Sequence, residues 1–100
     1  TTVLLPAAWP ERRLSHWQVL TRARAIENQV VLVGAAAVGT QGRVRLAGRS
    51  VVLDPWGEVL AEAGGDGEEV LHVDVDPDVV ARVRADFPVL DDRRRDLPRT

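Results

Sequence analysis

The stretch ERRLSHWQVLTRARAIENQ, residues 11–29, followed without a break by VVLVGAAAV, residues 30–38, decides the fold. Glu11 to Gln29 holds neither Gly nor Pro and is rich in good helix formers. Pro10 suits a first helical turn, and Glu11 complements the positive end of the helix dipole. At helical spacing the apolar residues fall into two stripes. One holds Val19, Ala23, Ile26 and Val30; the other holds Leu14, Trp17 and Ala25. Between them runs a band of His16, Leu20, Arg24 and Glu27. A surface helix normally carries one stripe. Two predict a helix covered on both sides, by its own sheet and by a second body such as a partner subunit. Val30 to Val38 reads as a central strand buried on both faces.

Working outward, Thr2 to Leu5 predicts a buried strand ended by Pro6, with Ala7 to Pro10 as the loop leaving it. Gly39 to Gly42 reads as a turn, and Val44 to Asp54 as one strand in which Gly48 marks a bulge or close approach. Asp54-Pro55-Trp56-Gly57 is a turn and Glu58 to Ala63 the returning arm of a hairpin. Gly64 to Gly67 is the next turn. Glu69 to Asp76 alternates, with Leu71, Val73 and Val75 on one face and His72, Asp74 and Asp76 on the other. Asp76-Pro77 suits a helix start with Asp as N-cap. Val79, Val80 and Val83 form its apolar stripe to about Phe87, where Pro88 stops it. The predicted order is β-α-β-β-β-β-α, a mixed sheet with flanking helices in the α/β class. Residues 91–100 read as a charged, irregular tail.

Composition narrows the function. All 13 basic residues are Arg, set against 15 acidic ones, so no basic surplus points to nucleic acid or an anionic membrane surface. There is no Cys and no Lys, and without Cys there is no thiolate nucleophile, disulfide framework or Cys-metal site among these hundred residues. There is also no Met, and Thr1-Thr2-Val3-Leu4-Leu5 reads as a strand already under way, so residue 1 is expected to lie in mid-protein. No apolar run approaches the ~20 residues that span a bilayer. No signal-like segment opens the sequence, and the expectation is a cytoplasmic protein.

Few residue constellations suit catalysis. Ser50 could be joined to His16 or His72 and an Asp, but Gly48-Arg49-Ser50-Val51-Val52 lacks the second Gly of a nucleophile elbow and sits in a strand. His72, Asp74 and Asp76 share a strand face, yet alternation of this kind is the ordinary signature of a solvated face; no metal site is predicted. No phosphate-loop glycine pattern occurs. Arg93-Arg94-Arg95 lies between Asp92 and Asp96 and reads as a solvated run. His16-Trp17 reads as a packing anchor beside a hydrogen-bonded His. Arg24 and Glu27, three apart, are expected to pair as a structural clamp.

The run Pro6-Ala7-Ala8-Trp9-Pro10, then His16-Trp17-x-x-Leu20-x-x-Ala23-Arg24-Ala25-Ile26-Glu27-Asn28-Gln29, resembles the nitrilase superfamily of carbon–nitrogen hydrolases. So do the strand ending in Val38-Gly39, Gly48-x-Ser50, Asp54-Pro55-x-Gly57-Glu58, Val73-Asp74-Val75-Asp76, and Phe87-Pro88-x-Leu90 with Asp92-Arg93-Arg94. The resemblance covers nearly the whole chain in order. It implies that residues 1–90 are the C-terminal part of an α-β-β-α sandwich. It implies hydrolysis of a non-peptide carbon–nitrogen bond in a small amide or carbamoyl compound, without metal or organic cofactor. The family's Cys nucleophile, Glu acid–base and Lys precede the strand at which this chain starts, so no catalytic residue is expected here and the chain alone is expected to be inactive. Ala8 and Trp9 become candidate substrate contacts. His16, Trp17, Arg24, Glu27 and Asn28 mark the helix through which the family pairs subunits, so a homodimer is expected. Ala36-Ala37 departs from the Asn-containing pair many relatives carry there, so a polar contact near the strand end is missing. The competing expectation is a non-catalytic α/β module that uses its exposed helix to bind a protein.

Overall fold

The computed structural model describes residues 1–96. Its elements are β1 (Thr2–Ala7), a 3-10 turn (Glu11–Arg13), α1 (Leu14–Asn28), β2 (Val31–Ala36), β3 (Val38–Gln41), β4 (Val44–Ala47), β5 (Val51–Leu53), β6 (Val59–Glu62), α2 (Val79–Asp86) and a 3-10 turn (Val89–Asp92). Four strands form one sheet in the order β1-β2-β5-β6, and β3-β4 form a separate hairpin. β1 and β2 are parallel and joined through α1; β2-β5 and β5-β6 are antiparallel. The sheet is therefore mixed, as expected.

Strand alternation gives the sheet two apolar faces. Leu32, Val51 and Leu53 pack with Trp17 and Ala25 of α1. Val31 and Val52 point the other way and pack with Val80, joined by Val33, Val73, Val75 and Val79. The sheet thus sits between α1 on one face and the 71–75 segment with α2 on the other. The chain is a slab of 47 × 34 × 17 Å. Its radius of gyration of 15.5 Å exceeds the ~13 Å of a compact domain this long.

The two helical stripes separate as their neighbours dictate. Leu14, Trp17, Thr21 and Ala25 turn toward the sheet, whereas Val19, Leu20 and Ile26 stay exposed. Thr21 keeps its buried hydroxyl satisfied by donating to Trp17 O at 2.8 Å. α1 ends at Gln29, which takes a left-handed φ of 50°. Arg84 of α2 then donates to the orphan carbonyls of Asn28 and Gln29, each at 3.3 Å, and Gln29 Nε2 donates to Phe87 O at 2.7 Å. These bonds clasp the C-terminal ends of the two helices.

Several expectations are corrected. β1 is not buried: among the described residues it has β2 as its one neighbour, and Leu4 is 73% exposed. The predicted strand 30–38 ends at Ala36, and 39–42 is not a turn, because Val38–Gln41 forms β3 and the turn is Gly42-Arg43. The predicted strand 44–54 is two strands. Gly48 and Arg49 both take positive φ, 65° and 64°, and this local reversal carries the chain from the hairpin to the main sheet. Glu69–Asp76 is irregular, although its burial alternates as predicted; the side-chain pattern persists because Val73 and Val75 meet the sheet face, while no strand ladder holds the backbone. α2 begins at Val79 with Asp78 at the N-cap; Asp76 instead accepts the Asp78 N–H at 2.9 Å. Of the expected 91–100 tail, Asp91 and Asp92 close a 3-10 turn and residues 97–100 lie outside the described residues.

Candidate active-site wall at the strand ends

The parallel pair β1-β2 ends in two short segments, Ala7-Ala8-Trp9 and Ala36-Ala37, held side by side. Ala37 N–H donates to Ala7 O at 2.9 Å, extending the ladder past the strand. The β3-β4 hairpin is tied to the same end: Ala47 N–H donates to Trp9 O at 2.7 Å, Gly48 N–H to Ala37 O at 3.1 Å, and Pro10 bridges Leu46. Ala8 is exposed at this edge and Trp9 half-buried.

Trp9 is anchored on three sides. Its indole N–H donates to Arg13 O at 2.6 Å, its ring centroid lies 5.8 Å from that of Trp17, and the Arg13 guanidinium sits 5.8 Å over the ring. Trp17 is 3% exposed and donates its indole N–H to Arg49 O at 3.2 Å. The two tryptophans therefore fix the loop to α1 and α1 to the start of β5. Gly34 makes room: a Cβ there would stand 2.8 Å from Trp17 Cζ2.

Ser50 is structural. Its hydroxyl accepts Ala36 N–H at 2.9 Å and donates to Ala36 O at 3.3 Å. β2 runs past the start of β5 at Val51, and Ser50 supplies the missing rung of the ladder. Neither His joins it. His16 Nδ1 accepts from Arg13 Nε at 3.3 Å on the exposed face of α1, and His72 is exposed on the irregular segment. Arg24 and Glu27 form the expected pair, and Asn28 Nδ2 donates to Arg24 O at 3.0 Å, all on the exposed face of α1. Among the described residues no three His, Asp or Glu side chains gather as metal ligands.

A cavity of about 630 Å³ opens at the end of β2, lined by Ala36, Ala37, Arg49, Ser50, Glu68 and Glu69 among others. Sequence reasoning missed Arg49. Its N–H donates to Gly64 O at 3.3 Å and its carbonyl accepts from Trp17, so a non-glycine residue is pinned in left-handed geometry. No sequence signal marks it, since a glycine would be expected at such a φ. Ala8 and Trp9 do not line this cavity; they form the neighbouring edge.

The sheet is mixed, with α1 on one face, an alternating apolar layer on the other and loops gathered at the end of its parallel pair, which is an α/β sandwich-type scaffold. The family model for carbon-nitrogen hydrolases matches residues 7–85, and the chain belongs to that family, within the nitrilase superfamily. It is 43% identical over 95% of its length to the 2-oxoglutaramate amidase of Bacillus subtilis and 44% identical over 94% to that of Paenarthrobacter nicotinovorans. It spans 36% and 32% of those proteins, about a third. Among solved structures it is similar to a CN-hydrolase superfamily protein from Xanthomonas campestris with an arsenic adduct in its active site. The TM-score is 0.85 and the identity 32%, covering 97% of this chain and 37% of that one.

Proposed function

We propose that these hundred residues are the C-terminal part of an amidase-type carbon–nitrogen hydrolase that cleaves small amides bearing a free carboxylate, as the name 2-oxoglutaramate amidase implies for its relatives. The observation that carries this reading is the match in order to two such amidases over 94% or more of the chain. The family chemistry needs a thiolate that attacks the amide carbon, a carboxylate that moves protons to the leaving ammonia and from the incoming water, and a lysine that stabilises the developing charge. With neither Cys nor Lys in the sequence, the nucleophile comes from residues outside these hundred. The part described here supplies scaffold and one wall, with Ala8 and Trp9 facing substrate.

Assembly as a homodimer belongs to the same reading. Val19, Leu20 and Ile26 on α1 are exposed next to His16, Arg24, Glu27 and Asn28, a face of the composition that a subunit contact covers. A cytoplasmic location is part of the same proposal.

The test is ammonia release from 2-oxoglutaramate and from a neutral amide by the intact protein and by residues 1–100 alone. Turnover is expected with the intact protein only, and Trp9→Ala is expected to change the ratio of the two rates. Turnover by residues 1–100 alone, or none by the intact protein on any small amide, refutes the reading.

A further inference from the structure

The Trp9-Pro10 loop borders a second cavity. There the 3-10 turn Glu11–Arg13 and the tip of the β3-β4 hairpin enclose a cavity of about 460 Å³, lined by Pro10, Glu11, Arg12, Arg43, Val44 and Arg45. Three of those six residues are arginines in a chain whose net charge is −2. Arg45 is compensated: its Nε lies 2.7 Å from Glu11 Oε2 and its Nη2 3.3 Å from Asp66 Oδ1. Among the described residues Arg12 and Arg43 form no ion pair. Two guanidiniums without counter-charges therefore share one concavity.

The walls that carry them are fixed. The Pro10–Leu46 bridge and the Ala47 N–H to Trp9 O bond hold hairpin to loop. Gln41 pairs with Val44, so Gly42 and Arg43 form a two-residue hairpin loop, with Gly42 at φ 61° in the first central position. Arg12 sits on a turn closed by Arg13 N–H donating to Pro10 O at 3.0 Å. Arg43 and Arg12 thus line one cavity from two segments that backbone hydrogen bonds hold in place. A guanidinium's planar fork matches a carboxylate's two oxygens, and a cationic concavity raises the local concentration of small anions.

We propose that this cavity binds a small carboxylate between Arg12 and Arg43. Resting on the amidase reading above, it holds the free carboxylate of an amide-acid substrate at the rim of the pocket whose wall is Ala8-Trp9. Phosphate offers similar oxyanion chemistry, and the experiment separates the two.

The intact protein, labelled with nitrogen-15 at arginine, is titrated with glutarate, glutaramide and inorganic phosphate. The Nε–Hε signals are followed after assignment through Arg12→Lys and Arg43→Lys. Glutarate is expected to move the Arg12 and Arg43 signals along a saturable curve and glutaramide to leave them in place. Glutarate affinity is expected to fall about five-fold or more in Arg12→Gln and in Arg43→Gln, and to fall as salt rises from about 20 to about 200 mM. Both side chains are exposed, so neither substitution opens the core. Unmoved signals, unchanged affinity in both variants, equal binding of glutaramide, or phosphate binding as tight as glutarate each overturn the proposal. Ammonia release measured on the same samples separates the two readings. Turnover without glutarate binding sinks the cavity assignment alone; glutarate binding without turnover sinks the amidase reading alone.

Discussion

Gly34 and Trp17 form a lock whose two halves can be mutated separately and together. A Cβ at residue 34 would lie 2.8 Å from Trp17 Cζ2, 3.1 Å from Cη2 and 3.3 Å from Val51 Cγ1. The first distance is shorter than carbon atoms adopt and the second is tight, so Gly34→Ala forces the indole to shift in a core where Trp17 is 3% exposed. Overpacking of this kind costs about 1–3 kcal/mol, against about 0.5 kcal/mol regained from the stiffer unfolded chain. Trp17→Phe removes Cζ2 and Cη2 and deletes the N–H that Arg49 O accepts. Lost burial and the lost hydrogen bond together cost about 2–3 kcal/mol. The double variant is different, because the atoms that the added methyl group would strike are gone. Its cost is expected to fall at least about 1 kcal/mol below the sum of the single variants. The assay is urea unfolding of the intact protein with all four members of the cycle, read at constant slope. Additivity within about 0.5 kcal/mol would refute the packing argument. So would a Gly34→Ala variant as stable as the parent.

Asp54 is buried and its Oδ1 accepts both Trp56 N–H at 2.9 Å and Glu58 N–H at 3.0 Å; Asp54→Ala is expected to cost about 2–3 kcal/mol and Asp54→Asn, which keeps an acceptor oxygen, about half that, by urea unfolding. Arg49→Gly relieves left-handed backbone and is expected to stabilise by about 1 kcal/mol, seen as a higher urea midpoint; a lower midpoint would show that the side chain contributes more than the strain removes. The Asp78 backbone N–H, and after it Arg82, hold the Asp76 carboxyl below its ordinary value of 3.8. A depressed carboxyl stabilises the fold above its unfolded pKa, and that contribution is lost as pH falls below about 4 through the folded value. Asp76→Asn is therefore expected to flatten the acid limb of urea midpoint against pH while leaving the limb above about pH 5 parallel to the parent; an unchanged acid limb counts against a stabilising role for the hydrogen bonds from Asp78 and Arg82.

The sequence made α1 and the mixed sheet legible because their signals are local. A Gly- and Pro-free run with two stripes places Trp17 and Ala25 toward the sheet and leaves Val19 and Ile26 exposed, and continuous aliphatics at 31–36 fit the strand that has neighbours on both sides. Asp54-Pro55-Trp56-Gly57 was readable from turn chemistry alone. The Gly48-Arg49 reversal was not: it depends on two consecutive positive φ values, and only the first falls on a residue that advertises them. The hairpin at 38–47 was hidden because Gly39 and Gly42 resemble a turn when their ladder partners are unknown. β1 read as buried because aliphatic residues say what a strand would pack against, not whether that neighbour is present. At the site, Trp9 was legible as a candidate from family resemblance, whereas Ser50 as a ladder rung and the Arg12–Arg43 cavity are juxtapositions that no spacing encodes.

The β3-β4 hairpin shares no ladder with the main sheet, yet three backbone contacts fasten it to the Trp9 loop and the end of β2. Its tip can therefore lengthen, shorten or change charge over evolutionary time without disturbing a single rung of the four-stranded sheet. Each such change is delivered straight to the rim beside Trp9. On the proposed reading, that makes the hairpin an adaptor through which one scaffold can be retuned to ligands of different size and charge, while the residues that hold the scaffold together remain untouched.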